Sequence, residues 1–174
     1  MTENQNESVQ ALETGIEQAR AAIRAVRDDQ LALPTPCDEW DVGQLLAHLA
    51  LDPAYMLEMV TGGSPDWSAI PDRIEDPEGT FGAGAEKLLA HYRSTEQPAD
   101  WQVAELAVHT WDLATATAQP VDDLDPEVAE RGLAFMTQTL KPEMRSTAFG
   151  PEQPAPAGAS AYERIAAFAG RRVG

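Results

Sequence analysis

The stretch ELAVHTWDLATAT, residues 105–117, reads as a helix that is apolar or small on nearly every side, yet it carries three ionisable side chains. On a wheel of about 100° per residue, Glu105 and His109 lie about 40° apart, and Asp112 lies about 20° to the other side of Glu105. A helix that is apolar all round is typical of a buried position. Because a buried carboxylate without a partner is costly or stays protonated, Glu105 and His109 are expected to share a partner or to partner each other.

Two explanations of this pair are open from the helix alone. A plain hydrogen bond between Glu105 and His109 needs nothing further, since residues four apart meet on any helix surface. A metal ion would need at least a third ligand, which His48 can supply from the edge of the apolar face in QLLAHLA. Two histidines and one carboxylate from two helices make a catalytic type of zinc site with an open fourth position. His91, the remaining histidine, is expected at the surface.

The apolar periodicity of the whole chain predicts an all-α protein, a single bundle domain over residues 1–174. Asp38 is expected to cap the second helix, with Asp41 in its first turn, and Pro53 to kink or break that helix. Gly and Pro predict loops at 61–80 and 141–158. The helices are expected at about 8–28, from 38 or 39 to 62, 81–96, 100–118, 126–140 after an Asp125 cap, and 159–169, with the first four as the body of the bundle.

The composition narrows the classes of partner. The chain has 12 Lys and Arg against 29 Asp and Glu, so its formal net charge of −17 disfavours nucleic acid and anionic membrane surfaces. No run of about 18 apolar residues and no signal peptide is present, so a cytoplasmic protein that does not span a membrane is expected. The single cysteine, Cys37, allows no internal disulfide and is expected to be a small buried residue.

Two blocks of sequence together resemble a known family. PTPCDEWDVGQLLAHL, residues 34–49, and ELAVHTWDLA, residues 105–114, are similar to the DinB-like four-helix bundle superfamily. Within it, the branch of mycothiol-dependent maleylpyruvate isomerase N-terminal-like proteins is the most similar. The resemblance implies an up-down four-helix bundle, here with extra C-terminal helices. It also implies a divalent metal, usually zinc, held by His48, Glu105 and His109, and mycothiol as a thiol cosubstrate in isomerase or S-transferase chemistry.

Several other side chains carry weaker expectations. Asp112 can orient a histidine ligand from behind, as carboxylates often do at metal sites. Trp40 and Trp111 are expected in the core, whereas Trp67 in the long loop either covers a pocket or packs on the surface. Arg171 and Arg172 near the end of the chain are expected in a solvated tail.

The leading functional hypothesis is a metal-dependent thiol enzyme that activates a low-molecular-weight thiol for attack on a small electrophile. A bundle that binds a metal or a small ligand without catalysis is the alternative. A helical interaction protein, with Glu105 and His109 as a buried pair, is the third possibility.

Overall fold

A computed structural model describes residues 3–38, 40–146 and 149–174, and these residues confirm the all-helical fold. No strand forms among them, only an isolated bridge between Pro34 and Asp41. The α-helices within these ranges are α1 (Glu3–Arg24), α2 (Val42–Val60), α3 (Pro77–Ser94), α4 (Asp100–Ala116), α5 (Pro126–Thr139) and α6 (Ala161–Phe168), with short 3₁₀ turns at Asp28–Gln30, Trp67–Ala69 and Pro142–Met144.

The first four helices form a ring of packed pairs. Helix α1 packs against α3 and α4, and α2 packs against the same two helices. The core between them is built from side chains such as Leu12, Leu45, Phe81 and Leu106, which are all buried. Burial of apolar surface of this kind is the main favourable term that holds a helical bundle together.

Helix α4 is the most enclosed element, because α5 and α6 cover the side that the ring leaves open. It contacts α1, α2, α5 and α6. Close packing of α5 is possible because Gly132 has no side chain; a Cβ there would lie 2.9 Å from Ala104 Cα and 2.8 Å from Ile165 Cδ1. Because four helices enclose α4, its sequence is apolar in almost every direction. For the same reason, His109 and Asp112 on this helix are buried.

The start of α2 differs from the prediction. Asp41, not Asp38, is the N-cap: its side chain accepts from the Gln44 amide at 2.9 Å, and the Gln44 side chain accepts from the Asp41 amide at 3.0 Å. The chain before it folds back on the helix start, with the Val42 amide donating to Leu33 O at 2.9 Å. This backward turn holds Asp38 outside the helix. Glu39, the other predicted start, lies outside the described residues.

Pro53 does not break α2, which continues through it to Val60. The backbone of α3 supports this region closely, because a Cβ on Gly84 would lie 3.2 Å from the Ala54 amide nitrogen and 3.3 Å from Pro53 Cβ. Tertiary packing of α2 on α3 therefore outweighs the hydrogen bond that a proline removes from a helix. The 61–80 loop is shorter than predicted, because Asp76 caps α3 and Pro77 starts it. Among the described residues, none of the helices combines the length and apolar character needed to cross a membrane.

The capping role of Asp41 predicts the outcome of a pair of substitutions. Asp41→Ala removes the acceptor for the Gln44 amide and should lower the free energy of unfolding by about 1 kcal/mol, as loss of an N-cap does. Asp38→Ala, at an exposed position, is the matched control and should change it by less than about 0.5 kcal/mol. Urea denaturation of both variants measures the difference, and a larger loss in Asp38→Ala would restore the original assignment of the cap.

Candidate metal centre

Three side chains from two helices meet between α2 and α4. Glu105 Oε1 lies 3.1 Å from His109 Nε2 and 3.4 Å from His48 Nε2. One ligand atom from each of the three residues lies within 4.8 Å of the other two. The side chains are well shielded, with 8% of His48, 13% of Glu105 and 4% of His109 exposed. The three residues singled out in the sequence are thus brought together by the fold.

Asp112 lies behind His109 and fixes the orientation of its ring. Its Oδ2 is 3.1 Å from His109 Nδ1, so the bond leaves Nε2 of the same ring directed toward Glu105. A carboxylate that accepts from the far nitrogen of a histidine is the usual partner of a metal-binding imidazole. The sequence left open whether Asp112 reaches His109, three residues before it on the same helix, and the structure shows that it does.

Arg171 completes this arrangement, and the prediction of a solvated tail for it is wrong. The residue is only 3% exposed. Its Nη2 donates to Asp112 Oδ2 at 2.9 Å, its Nε to Asp112 Oδ1 at 3.1 Å, and its Nη1 to Ala169 O at 3.0 Å. A fully buried carboxylate needs a fixed positive charge, and Arg171 supplies it across 59 residues of sequence. Exposure was predicted for Arg171 and Arg172, and of these two residues Arg172 is the exposed one.

The charges of the cluster are strongly coupled. Burial alone would raise the pKa of Glu105, but hydrogen bonds and charge from His109 and His48 lower it well below its usual range. Burial would lower the pKa of His109, yet its bonds to Asp112 and Glu105 raise it to about 9. Burial dominates at His48, whose pKa is lowered. Without a metal the cluster is thus an ion pair between Glu105 and His109 with a neutral His48 beside it.

The donor set fits a divalent metal of the zinc type. Ligand atoms about 2.1 Å from a tetrahedral ion lie about 3.4 Å from each other. The distances from Glu105 Oε1 to the two histidine nitrogens, 3.1 and 3.4 Å, are close to that spacing. A metal would take the place of the proton shared between these atoms, which is how imidazole and carboxylate ligands exchange a proton for an ion.

The turn that precedes α2 positions Trp40 over the cluster. The Thr35 hydroxyl lies 2.7 Å from Trp40 O and 2.9 Å from Cys37 O, within hydrogen-bond distance of both carbonyls. The Trp40 ring centre is then 4.5 Å from that of His48 and 5.7 Å from that of His109. Trp111 lies in the core, as predicted. Trp40, predicted in the core as well, is half-buried and packs against it. Cys37 is buried, as expected for a small packing residue.

A pocket of about 270 Å³ opens beside His48 and Glu105. Its walls are formed by Trp40, His48, Met56, Met59, Trp67, Trp101, Glu105 and Phe149. Trp67 comes from the 3₁₀ turn in the long loop, and its ring centre lies 5.6 Å from that of His48 and 5.2 Å from that of Tyr55. Of the two roles that the sequence left open for Trp67, the structure favours covering the pocket.

A second buried carboxyl group, Asp52, was missed in the sequence. It lies one turn after His48 on α2, is fully buried, and accepts a hydrogen bond from Gln102 Nε2. Its other oxygen, Oδ1, and Gln102 Oε1 have no hydrogen-bond partner among the described residues. Burial, followed by repulsion from Glu105, raises the pKa of Asp52 to about 8, so the group is protonated near neutral pH. Its i,i+4 spacing from His48 on a helix between apolar neighbours was the available signal.

His91 lies away from the cluster, as predicted. Its Nε2 is 3.1 Å from Gln97 Oε1 near the end of α3, in an exposed contact. Among the described residues, the side chains grouped closely enough to hold a metal are His48, Glu105 and His109, and His91 is not one of them.

Comparisons with known proteins place the chain in a family. The family model of the mycothiol maleylpyruvate isomerase N-terminal domain matches residues 12–97, which include His48. Two proteins of Mycobacterium tuberculosis, "Uncharacterized protein MT0763" of strain CDC 1551 / Oshkosh and "Uncharacterized protein Rv0738" of strain ATCC 25618 / H37Rv, are similar over most of their length. Each is 30% identical to this chain over 178 residues, covering 88% of the chain and 91% of the relative. No solved structure matches the chain significantly.

The pairing of Arg171 with Asp112 generates a stability prediction. Arg171→Met keeps an unbranched side chain but removes the charge, which leaves the Asp112 carboxylate buried with His109 alone. Removal of one partner from a buried ion pair costs about 3–5 kcal/mol. Arg172→Met, at the exposed neighbouring position, is the control and should stay within about 0.5 kcal/mol of the parent. Equal free energies of unfolding for the two variants would mean that Arg171 has no structural part in the site.

Proposed function

Because the chain belongs to the family of the mycothiol maleylpyruvate isomerase N-terminal domain, we propose that it is a metal-dependent thiol enzyme of the S-transferase or isomerase type. The observation that carries the proposal is the convergence of His48, Glu105 and His109, of which His48 and Glu105 line an otherwise apolar pocket. Mycothiol is the expected thiol, in line with the family. The other reactant is a small electrophilic molecule.

The chain's own residues would act as ligands and as supports for them. His48, Glu105 and His109 would hold the ion, and zinc suits two imidazoles and one carboxylate. A bound divalent ion would lower the pKa of a thiol in its open position, so that thiolate forms near neutral pH. Asp112 would keep His109 Nε2 available by accepting from Nδ1, and Arg171 would balance the charge of Asp112.

The apolar walls of the pocket support the chemistry by limiting water. Trp40 and Trp67 pack over His48, which would shield a thiolate from solvation and keep it reactive. The thiolate sulfur would form a bond to an electrophilic carbon while a leaving group departs with its bonding electrons. If the electrophile is an activated double bond, the thiolate sulfur would add to one of its carbons. The neighbouring carbon would then take a proton from water, and no leaving group would depart. Rotation about the resulting carbon–carbon single bond, followed by return of a proton to water and departure of the sulfur as thiolate, would isomerise the double bond.

A second candidate is a bundle that binds a metal or small ligand without turnover. The low exposure of the three ligand side chains favours it, because only the edge of Glu105 and part of His48 reach the pocket. This candidate shares the metal with the first and differs from it in the absence of thiol consumption.

The proposal is tested by coupling metal content to thiol consumption. Protein purified without chelators should carry about one divalent ion per chain, and it should consume mycothiol faster than buffer does with at least one electrophile from a panel. His48→Ala should lose most of the metal and the activity while its helical circular dichroism remains. His91→Ala is the matched control and should keep both, because His91 lies outside the site.

Each other outcome has a definite meaning. Metal in the parent without thiol consumption by any electrophile would contradict the enzyme and favour the binding protein. Full metal occupancy in His48→Ala would contradict the ligand set itself.

A further inference from the structure

The pocket beside the metal centre gathers a large share of the apolar side chains that the protein exposes. Among the described residues, five large hydrophobic side chains are exposed. Three of them, Met59 (37%), Trp67 (38%) and Trp101 (47%), line this one pocket. Exposed apolar groups concentrated in a concave site mark a place where a ligand covers them.

The charges around the pocket disfavour an anion. None of the described residues that line it is a lysine or arginine, and Glu105 contributes a carboxylate. The nearby arginines are already paired: Arg171 behind the centre with Asp112, and Arg73 at the start of α2 with Asp41 at 2.7 Å. The proposed metal ion does not change this, because Glu105 and a bound thiolate together offset its two charges, so an anionic ligand would lose hydration without a compensating charge from the pocket walls.

The size and shape of the pocket restrict the ligand further. A volume of about 270 Å³ lies just below the range for drug-sized ligands, about 300–1,000 Å³, so the ligand is small. Trp67 contacts Tyr55 edge to face, with ring planes at 73°, and more than a third of the residue stays exposed. An indole held in this way offers a flat surface to another ring.

We infer that the electrophile taken by this site is a small, uncharged, flat apolar molecule, held between Trp67, Trp101 and Met59. The inference rests on the proposed function, in which the thiol occupies the open metal position, so the electrophile depends on the pocket walls alone. The same walls disfavour a dicarboxylate electrophile, because they offer no lysine or arginine to pair with either of its charges.

Equilibrium binding of two matched probes tests the inference apart from any turnover. 1,3-Dinitrobenzene and 3-nitrobenzenesulfonate share one ring and differ by a single charge, and neither is consumed by a thiol under the conditions of a titration. A sulfonate is also a weak metal ligand, so the comparison reports on the pocket walls. With the metal-loaded protein, calorimetric titration should show the neutral probe binding at least about tenfold more tightly.

Three variants locate the effect in the pocket. Trp67→Ala should weaken binding of the neutral probe about fivefold to tenfold through lost ring contact. Leu33→Ala, which removes an exposed apolar side chain elsewhere, is the control and should leave it unchanged. Met59→Lys adds a cation at an exposed edge and should tighten binding of the sulfonate about tenfold.

The inference is overturned if the sulfonate binds the parent protein as tightly as the neutral probe, or if Trp67→Ala and Leu33→Ala behave alike. These results do not depend on thiol consumption. A protein that fails to consume thiol but prefers the neutral probe would contradict the proposed function and support the ligand class.

Discussion

The structure depends on one constraint, which is that α4 is enclosed by four helices while it carries ionisable side chains. A charged group that is buried on this helix needs a partner inside the protein, since water does not solvate it. Glu105 is satisfied by the imidazoles of His109 and His48, and Asp112 by His109 and Arg171. Helix α2 and the C-terminal segment each deliver a side chain that α4 cannot supply itself, His48 and Arg171.

The same network orders the three side chains of the candidate metal centre. Arg171 fixes Asp112, Asp112 fixes the ring of His109, and His109 meets Glu105 and His48 on the side of the pocket. A rigid set of ligands of this kind loses little entropy when an ion binds. The charges of Glu105 and His109 hold the cluster together without an ion. The two interpretations of the pair that the sequence left open, an ion pair and a set of metal ligands, are therefore compatible with one geometry.

The sequence was sufficient for features that depend on local periodicity. The spacing of Glu105, His109 and Asp112 determines their shared face, and the apolar pattern determines the helices. Features that depend on contacts between distant segments were missed. Arg171 near the end of the chain looked like a solvated residue, because only the fold shows that Asp112 needs it. Asp38 and Asp41 are chemically equal as caps, and the backward turn before α2 decides between them. The pairing of Asp52 with Gln102 likewise crosses two helices.

X-ray absorption spectroscopy of the zinc-loaded protein tests the central claim most directly, because it reports the atoms bound to the ion without any assumption about activity. The account predicts a four-coordinate ion with two imidazole nitrogens and one carboxylate oxygen at about 2.0–2.2 Å. Glu105→Gln should weaken the binding of that ion while Glu96→Gln, at an exposed position, should not. An absorption spectrum with six oxygen neighbours and no imidazole scattering would contradict the account, since it would mean that the metal lies on the acidic surface and not between α2 and α4.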